Sequence, residues 1–171
     1  MRFVLLAAAL AAFQTLVASA QNSRPPSELL ERLVGKWVLE GTIAGKTVTH
    51  DVVARSVLNG QYVQLNEVSH EQDAHGRPAY EALVYLTWEQ NRAEYSCQWL
   101  DSTSNAGLSN GVTCRAKPSG DELRLLFKYP DGNAFHTTFA YERATDTWRW
   151  KLDGEEKGQL APFARMVMRR R

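Results

Sequence analysis

The sequence predicts an all-β domain of about ten antiparallel strands, closed into a barrel and preceded by one short helix. From residue 36 onward, apolar residues recur at alternate positions, which is the period of a strand. Turn residues separate these runs at short intervals, and short connections join antiparallel neighbours. No second helical run interrupts them. Because closing such a meander removes its exposed edges, we expect a barrel, with a two-sheet sandwich as the alternative.

The helix and the strands follow one another in a simple order. Ser27 is a good N-cap for a helix over residues 28–34, and Gly35 ends it. The strongest hairpin signal is the Asn-Gly pair at residues 59–60. The strand-like runs are residues 36–44, 47–58, 61–71, 80–88, 93–101, 112–117, 123–129, 135–142, 148–152 and 163–168.

The composition is that of a globular protein. Of the 171 residues, 44% are hydrophobic and 23% are charged, which excludes the disordered class. Lys and Arg total 20 against 19 Asp and Glu, so neither a polybasic nucleic-acid-binding arm nor an acidic tail is expected. Two Cys are too few for a multi-disulfide scaffold or a four-Cys zinc site.

The first 20 residues predict a secretory signal peptide. Arg2 supplies a positive start, residues 3–17 form an apolar run, and residues 18–20 are the small residues that a signal peptidase recognises. The run is shorter than the about 20 residues that a membrane helix needs. We therefore expect a periplasmic or secreted protein, with a single mature domain over residues 21–171 and no membrane span after signal removal.

Export predicts an oxidising compartment for the two cysteines. Cys97 and Cys114 lie on successive strand-like runs, and a hairpin folding near residues 105–106 sets them opposite each other. We therefore expect a Cys97–Cys114 disulfide. Two buried thiols are the alternative, because free Cys often behaves as a small apolar residue.

The start of the first strand resembles a known family. Gly-Lys-Trp at residues 35–37, after a short helix, resembles the Gly-x-Trp opening of lipocalins and their calycin relatives. The hairpin at residues 57–62 resembles a group of bacterial secreted proteins of unknown function with a lipocalin-like barrel. The resemblance implies a calycin-like barrel in which Trp37 packs across the closed end under a basic side chain of the last strand. Arg165 and Arg169 are the candidates for that side chain.

The interior of such a barrel is the expected binding site. A closed barrel of about eight strands holds one small ligand, and such sites are mostly apolar with a few polar groups. Alternation predicts that the interior is lined by Leu39, Ile43, Tyr80, Val84, Trp99, Leu125, Phe127, Phe139 and Trp150. Among these, the expected ligand contacts are Tyr80, Trp99, Phe127, Phe139 and Trp150, although aromatic side chains more often simply fill a core.

The strand over residues 61–71 leaves two alternatives open. If its first face points inward, Tyr62, Gln64 and Asn66 are the polar anchors of the site. If that face points outward, these side chains are merely solvated. The opposite face carries Glu67, and a carboxylate on a strand is usually exposed rather than a buried base.

The inventory of catalytic residues is weak. The four histidines, His50, His70, His75 and His136, have no metal-ligand spacing, and no nucleophile, phosphate-loop or dinucleotide motif occurs. We therefore expect no metal and no cofactor. The distances of His50 and His70 from the Asn-Gly turn are nearly equal, which predicts that the two are near neighbours across the hairpin.

Three functions remain open. The first is an exported protein that binds a small hydrophobic or amphipathic molecule inside the barrel. The second is an enzyme on the same barrel, an isomerase, a cyclase or a haem-dependent activity such as nitrobindin-like barrels imply. It requires a buried His or Glu aimed into the cavity, and the lack of a convincing axial His disfavours haem. The third is a structural or interaction module with a filled core. We favour the first.

Overall fold

Ten antiparallel strands form one sheet that curls into a nearly closed barrel, as the sequence predicts. The computed structural model describes residues 26–103, 112–128 and 132–171, so the predicted signal peptide lies outside the described residues. The elements are α1 Pro26–Glu31, β1 Gly35–Ile43, β2 Lys46–Val57, β3 Tyr62–Ser69, β4 Glu81–Glu89, β5 Glu94–Asp101, β6 Val112–Ala116, β7 Glu122–Lys128, β8 Ala134–Glu142, β9 Thr147–Glu156 and β10 Gln159–Arg170.

The sheet has the order β6-β5-β4-β3-β2-β1-β10-β9-β8-β7. Consecutive strands therefore pair as in a meander, and the first strand also pairs with the last. β6 and β7 lie side by side, although no ladder joins them within the described residues. The inward faces of the strands form one continuous core. This architecture is consistent with a calycin-like fold.

The helix begins earlier than the sequence suggests. It starts at Pro26 and ends at Glu31, so Ser27 lies in the first turn and is not the N-cap. Proline suits this position because its fixed φ matches a helix and the first amide has no partner there. Leu29, Leu30 and Leu33 are buried, which supplies the docking that so short a helix needs.

Trp37 closes one end of the barrel. Its side chain is buried, and its Nε1 donates to the carbonyl of Leu33 at 2.7 Å. The guanidinium of Arg170 lies over the ring, 4.1 Å from its centroid, and also donates to the carbonyl of Val34 at 3.0 Å. Gly35 is required beside this contact, because its φ is +148° and a Cβ would collide with the Arg170 side chain.

The prediction that Arg165 or Arg169 covers Trp37 is therefore wrong. The ladder between β1 and β10 sets Arg170 directly opposite Trp37, and residues at odd positions near the end of β10 point away from the core. Arg165 forms an ion pair with Asp153, and the exposed Arg169 lies 3.4 Å from the carboxylate of Glu40.

The last hairpin is longer than the sequence suggests. The pairing of β9 with β10 continues up to Glu156 and Gln159. These residues lie between the last two strand-like runs of the sequence, where we expected a loop. Lys157 and Gly158 both have positive φ, 51° and 77°, which is the backbone of a tight two-residue hairpin turn. The register shifts between Pro162 and Ala164, and this irregularity masks the alternation of the strand in the sequence.

We predict that Arg170, and not Arg169, stabilises the closed end. Replacing Arg170 with Leu removes a cation–π contact and the hydrogen bonds to the carbonyls of Val34 and Arg32. The free energy of unfolding should fall by about 1–2 kcal/mol. Arg169→Leu is the matched control and should change it by less than about 0.5 kcal/mol. Denaturant titration of both variants measures the difference, and equal losses would contradict the role of Arg170.

We also predict an acid-dependent contribution from Asp146. The hydrogen bond from Arg170, together with one from the Tyr141 hydroxyl, lowers the pKa of Asp146 from its usual 3.8. A lowered folded-state pKa stabilises the protein above the unfolded-state value, and this contribution is lost as the pH falls through the folded-state value. Asp146→Asn should therefore lower the melting temperature at about pH 6 more than at about pH 2. The exposed Glu156→Gln is the control, and an equal effect of Asp146→Asn at both pH values would count against this assignment.

Candidate functional site

A buried polar pair lies inside the barrel, toward the end opposite Trp37. His50 follows the start of β2 by a few residues, and Glu67 precedes the end of β3, so both belong to the half of the barrel away from α1. The Nδ1 of His50 and the Oε1 of Glu67 are 2.5 Å apart. The two residues are only 3% and 2% exposed. The largely apolar interior therefore contains a hydrogen-bonded imidazole and carboxyl group.

The inward face of β3 is the one that carries Glu67. Val63, Leu65, Glu67 and Ser69 are buried, whereas Tyr62, Gln64 and Asn66 point outward. Of the two alternatives that the sequence left open, the structure therefore has the outward one, and these three side chains do not anchor a ligand inside the barrel. The reason is the pairing with β2, because directly opposed residues share one face of a sheet. Val52 and Ala54 face the core, and their partners are Glu67 and Leu65.

The sequence contained a signal for this orientation. On β2, His50, Val52 and Ala54 alternate with Asp51, Val53 and Arg55, and the face with Asp51 and Arg55 is the polar one. Projected across the Asn-Gly hairpin, the less polar face of β2 lies opposite the face of β3 that carries Glu67. The alternation along β2 and the register of the hairpin together predict that Glu67 faces inward. The alternation along β3 alone does not predict this.

His50 and His70 do not share a face. The ladder pairs His50 with Ser69, so His70 lies one position away and on the outer side. There its Nε2 is 3.2 Å from the carboxylate of Asp51. The prediction of two neighbouring histidines is wrong because a shift of one residue along a strand reverses the side-chain direction.

Two half-buried aromatic residues lie beside the polar pair. Tyr80 stacks on the imidazole of His50, with the ring centroids 5.7 Å apart and the planes 24° apart. Its hydroxyl accepts a hydrogen bond from the Nε1 of Trp99 at 3.1 Å. The predicted contacts Tyr80 and Trp99 are thus joined to the polar pair, in the chain of contacts Glu67–His50–Tyr80–Trp99.

Trp99 links this polar cluster to the aromatic core. Its ring lies 5.9 Å from that of Phe127, 6.5 Å from that of Phe139 and 6.4 Å from that of Trp150, measured between centroids. Phe139 and Trp150 are in edge contact at 4.5 Å. The structure therefore brings the predicted aromatic contacts together in one cluster.

Among the described residues, three buried polar side-chain atoms of the interior lack a hydrogen-bond partner. They are the Oε2 of Glu67 and the indole Nε1 atoms of Trp148 and Trp150. Glu67 uses only its Oε1, on His50. An unpaired polar atom away from water costs about 1–3 kcal/mol, and more when it is charged.

Tyr62 contributes to a different surface. On the outer side of β3 to β6 there is an open pocket of about 560 Å³, whose lining includes Tyr62, Tyr85, Gln98, Thr113 and Arg115. The neighbouring Gln64 donates to the hydroxyl of Tyr85 at 3.0 Å. These side chains are separated from the interior cluster by the sheet itself.

Cys97 and Cys114 are partners across β5 and β6, as predicted, but they are free thiols. The predicted disulfide is therefore absent. Both side chains belong to the apolar core, where they act as small apolar residues, the alternative that the sequence left open. Contact with the Cys114 thiol, followed by burial, raises the pKa of the Cys97 thiol well above its usual range.

The remaining titratable candidates do not extend the site. His75 is exposed, and His136 pairs on the surface with the carboxylate of Glu155 at 2.7 Å. Burial raises the pKa of Tyr95 to about 12, so its phenol stays protonated near neutral pH. No group of three metal-ligating side chains occurs within residues 26–103, 112–128 and 132–171. In the same segments, no helix has the length and apolarity to cross a membrane.

Comparison of the sequence with models of known protein families and with curated proteins gives no match. The function must therefore be inferred from the geometry of the interior.

We predict that Cys97 and Cys114 stay unreactive while the barrel is folded. Burial and a raised pKa keep the Cys97 thiol neutral, and the thiolate is the reactive form. A chromogenic disulfide reagent at about pH 8 should therefore label neither residue until denaturant is added, and then both. A variant with an exposed cysteine, Ser102→Cys, is the positive control. A protein mass lower by two hydrogen atoms would instead reveal the disulfide.

Proposed function

We propose that this protein is an exported, lipocalin-like binding protein that holds a small, partly apolar molecule in the barrel interior. The observation that carries the proposal is the buried His50–Glu67 pair, set directly against an aromatic interior. The predicted signal peptide supports the exported location. The Gly-x-Trp opening, with Arg170 stacked on Trp37, supports the lipocalin-like assignment.

A buried polar pair is a poor choice for stability alone. Desolvating an imidazole and a carboxyl group costs free energy, and apolar residues of similar size often stabilise such a position equally well or better. Toward the closed end, the next inward positions on the same two strands are occupied by Val52, Ala54 and Leu65, whereas Ser69 lies opposite His50. Recognition of a polar group on a ligand would explain why a polar pair interrupts this aliphatic surface.

The aromatic residues supply the complementary apolar surface. Tyr80 and Trp99 are only half-buried, in contrast to Phe139 and Trp150, which are 1% and 2% exposed. A ligand would therefore contact the exposed parts of Tyr80 and Trp99 and place its polar group on the pair. Because Trp37, Arg170 and α1 close the other end, access is from the end nearer to His50.

A second candidate is an enzyme on the same barrel, and the same pair favours it. A carboxylate hydrogen-bonded to Nδ1 orients an imidazole for proton transfer at Nε2. An isomerase or a cyclase would use His50 in this way, with Glu67 as the positioning residue. Conversion of a bound ligand, lost in His50→Gln while binding persists, would favour this candidate over the binding protein.

Native mass spectrometry tests the proposed function. The full chain is expressed with its leader and purified from the export compartment without denaturant. We expect extra mass that disappears when the protein is denatured. Trp99→Leu should weaken retention of that ligand about tenfold, through the loss of aromatic contact.

Gln98→Leu is the matched control, because Gln98 is adjacent in sequence but lies on the outer face of β5. The Gln98→Leu variant should retain the ligand as well as the unaltered protein does. A bare mass for the folded, unaltered protein would reject the binding function and favour the module with a filled core.

A further inference from the structure

The unpaired oxygen of Glu67 constrains the chemistry of the ligand. Glu67 is 2% exposed, its Oε1 faces His50, and its Oε2 has no hydrogen-bond partner. In most protein cores, a position as buried as that of Glu67 is occupied by an apolar residue. A carboxylate that is half satisfied inside a protein is explained most directly by a second partner that is supplied from outside.

The missing partner must donate a hydrogen bond. A carboxylate oxygen offers lone pairs to a donor, and Oε1 is already engaged by the Nδ1 of His50. The unpaired donors of the interior, the Nε1 atoms of Trp148 and Trp150, form no bond to Glu67. The hydroxyl of Tyr80 is placed against Trp99, from which it accepts.

We propose that Glu67 Oε2 accepts a hydrogen bond from an O–H or N–H group of the ligand, so that the protein selects apolar molecules that carry such a donor. This proposal rests on the proposed function, because it assigns the polar anchor of the same interior site. The ligand class is an aromatic or alicyclic alcohol or amine, with its donor on Glu67 and its ring against Tyr80 and Trp99.

A pair of probes that differ only in the donor tests the selection. The probes are 1-naphthol and 1-methoxynaphthalene, which share a ring system and differ by methylation of the oxygen. Calorimetric titration of the full, exported chain, freed of any carried ligand, gives both dissociation constants. We expect 1-naphthol to bind about tenfold more tightly than 1-methoxynaphthalene. This ratio corresponds to the free energy that one hydrogen bond to a carboxylate oxygen contributes.

Glu67→Gln should abolish this preference. The amide oxygen still accepts from His50, which leaves the amide N–H₂ group where the free acceptor was, and an N–H₂ group serves the ether oxygen as well as the hydroxyl. The ratio of the two dissociation constants should fall to within about twofold of one. Glu40→Gln makes the same chemical change on the exposed outer side of β1 and should keep the tenfold ratio.

The outcomes separate the two proposals. Equal affinity for both probes in the unaltered protein, or an unchanged ratio in Glu67→Gln, overturns the assignment to Glu67 and leaves interior binding in place. Binding of neither probe, together with a bare native mass, overturns both. If circular dichroism shows that Glu67→Gln does not fold, Glu67→Asp replaces it. The shorter side chain of Asp moves the carboxylate oxygen atoms back by one methylene group. The ratio of the two dissociation constants should therefore also move toward one.

Discussion

The pairing of the first strand with the last is the constraint on which the barrel depends. β1 joins β2 on one side and β10 on the other, so it unites two meanders into a single sheet. Gly41 permits the close approach, because its φ is +156° and a Cβ there would collide with the backbone of Arg165. The same ladder places Arg170 over Trp37. Sheet continuity and closure of one end are therefore consequences of one register.

Closure of one end gives the interior a direction. The helix, Trp37 and Arg170 occupy one end, and the contacts from Trp99 through Tyr80 to His50 and Glu67 form a separate polar cluster. The proposed binding of an amphipathic molecule rests on this combination of apolar surface and a buried polar pair.

The fold could be predicted from the chain to a large extent, and the candidate site only in part. Alternation along β1 identified Leu39 as inward, and the same pattern identified Val84, Leu125 and Phe139, all of which are buried. Trp99 and Tyr80 were expected in the interior and lie beside the polar pair. The orientation of Tyr62, Gln64 and Asn66 was left open, because a strand with two faces of mixed polarity does not reveal which face points inward.

By itself the sequence determined the class of the fold: the period of two, the short turns and the Asn-Gly hairpin are local properties, and local propensities specify antiparallel strands. Only the tertiary structure decided that Arg170 covers Trp37, that the two cysteines are core thiols, and that Glu67 meets His50. Each of these depends on the register between strands. A shift of one residue exchanges the faces, and the free energy that selects one register comes from packing over the whole barrel.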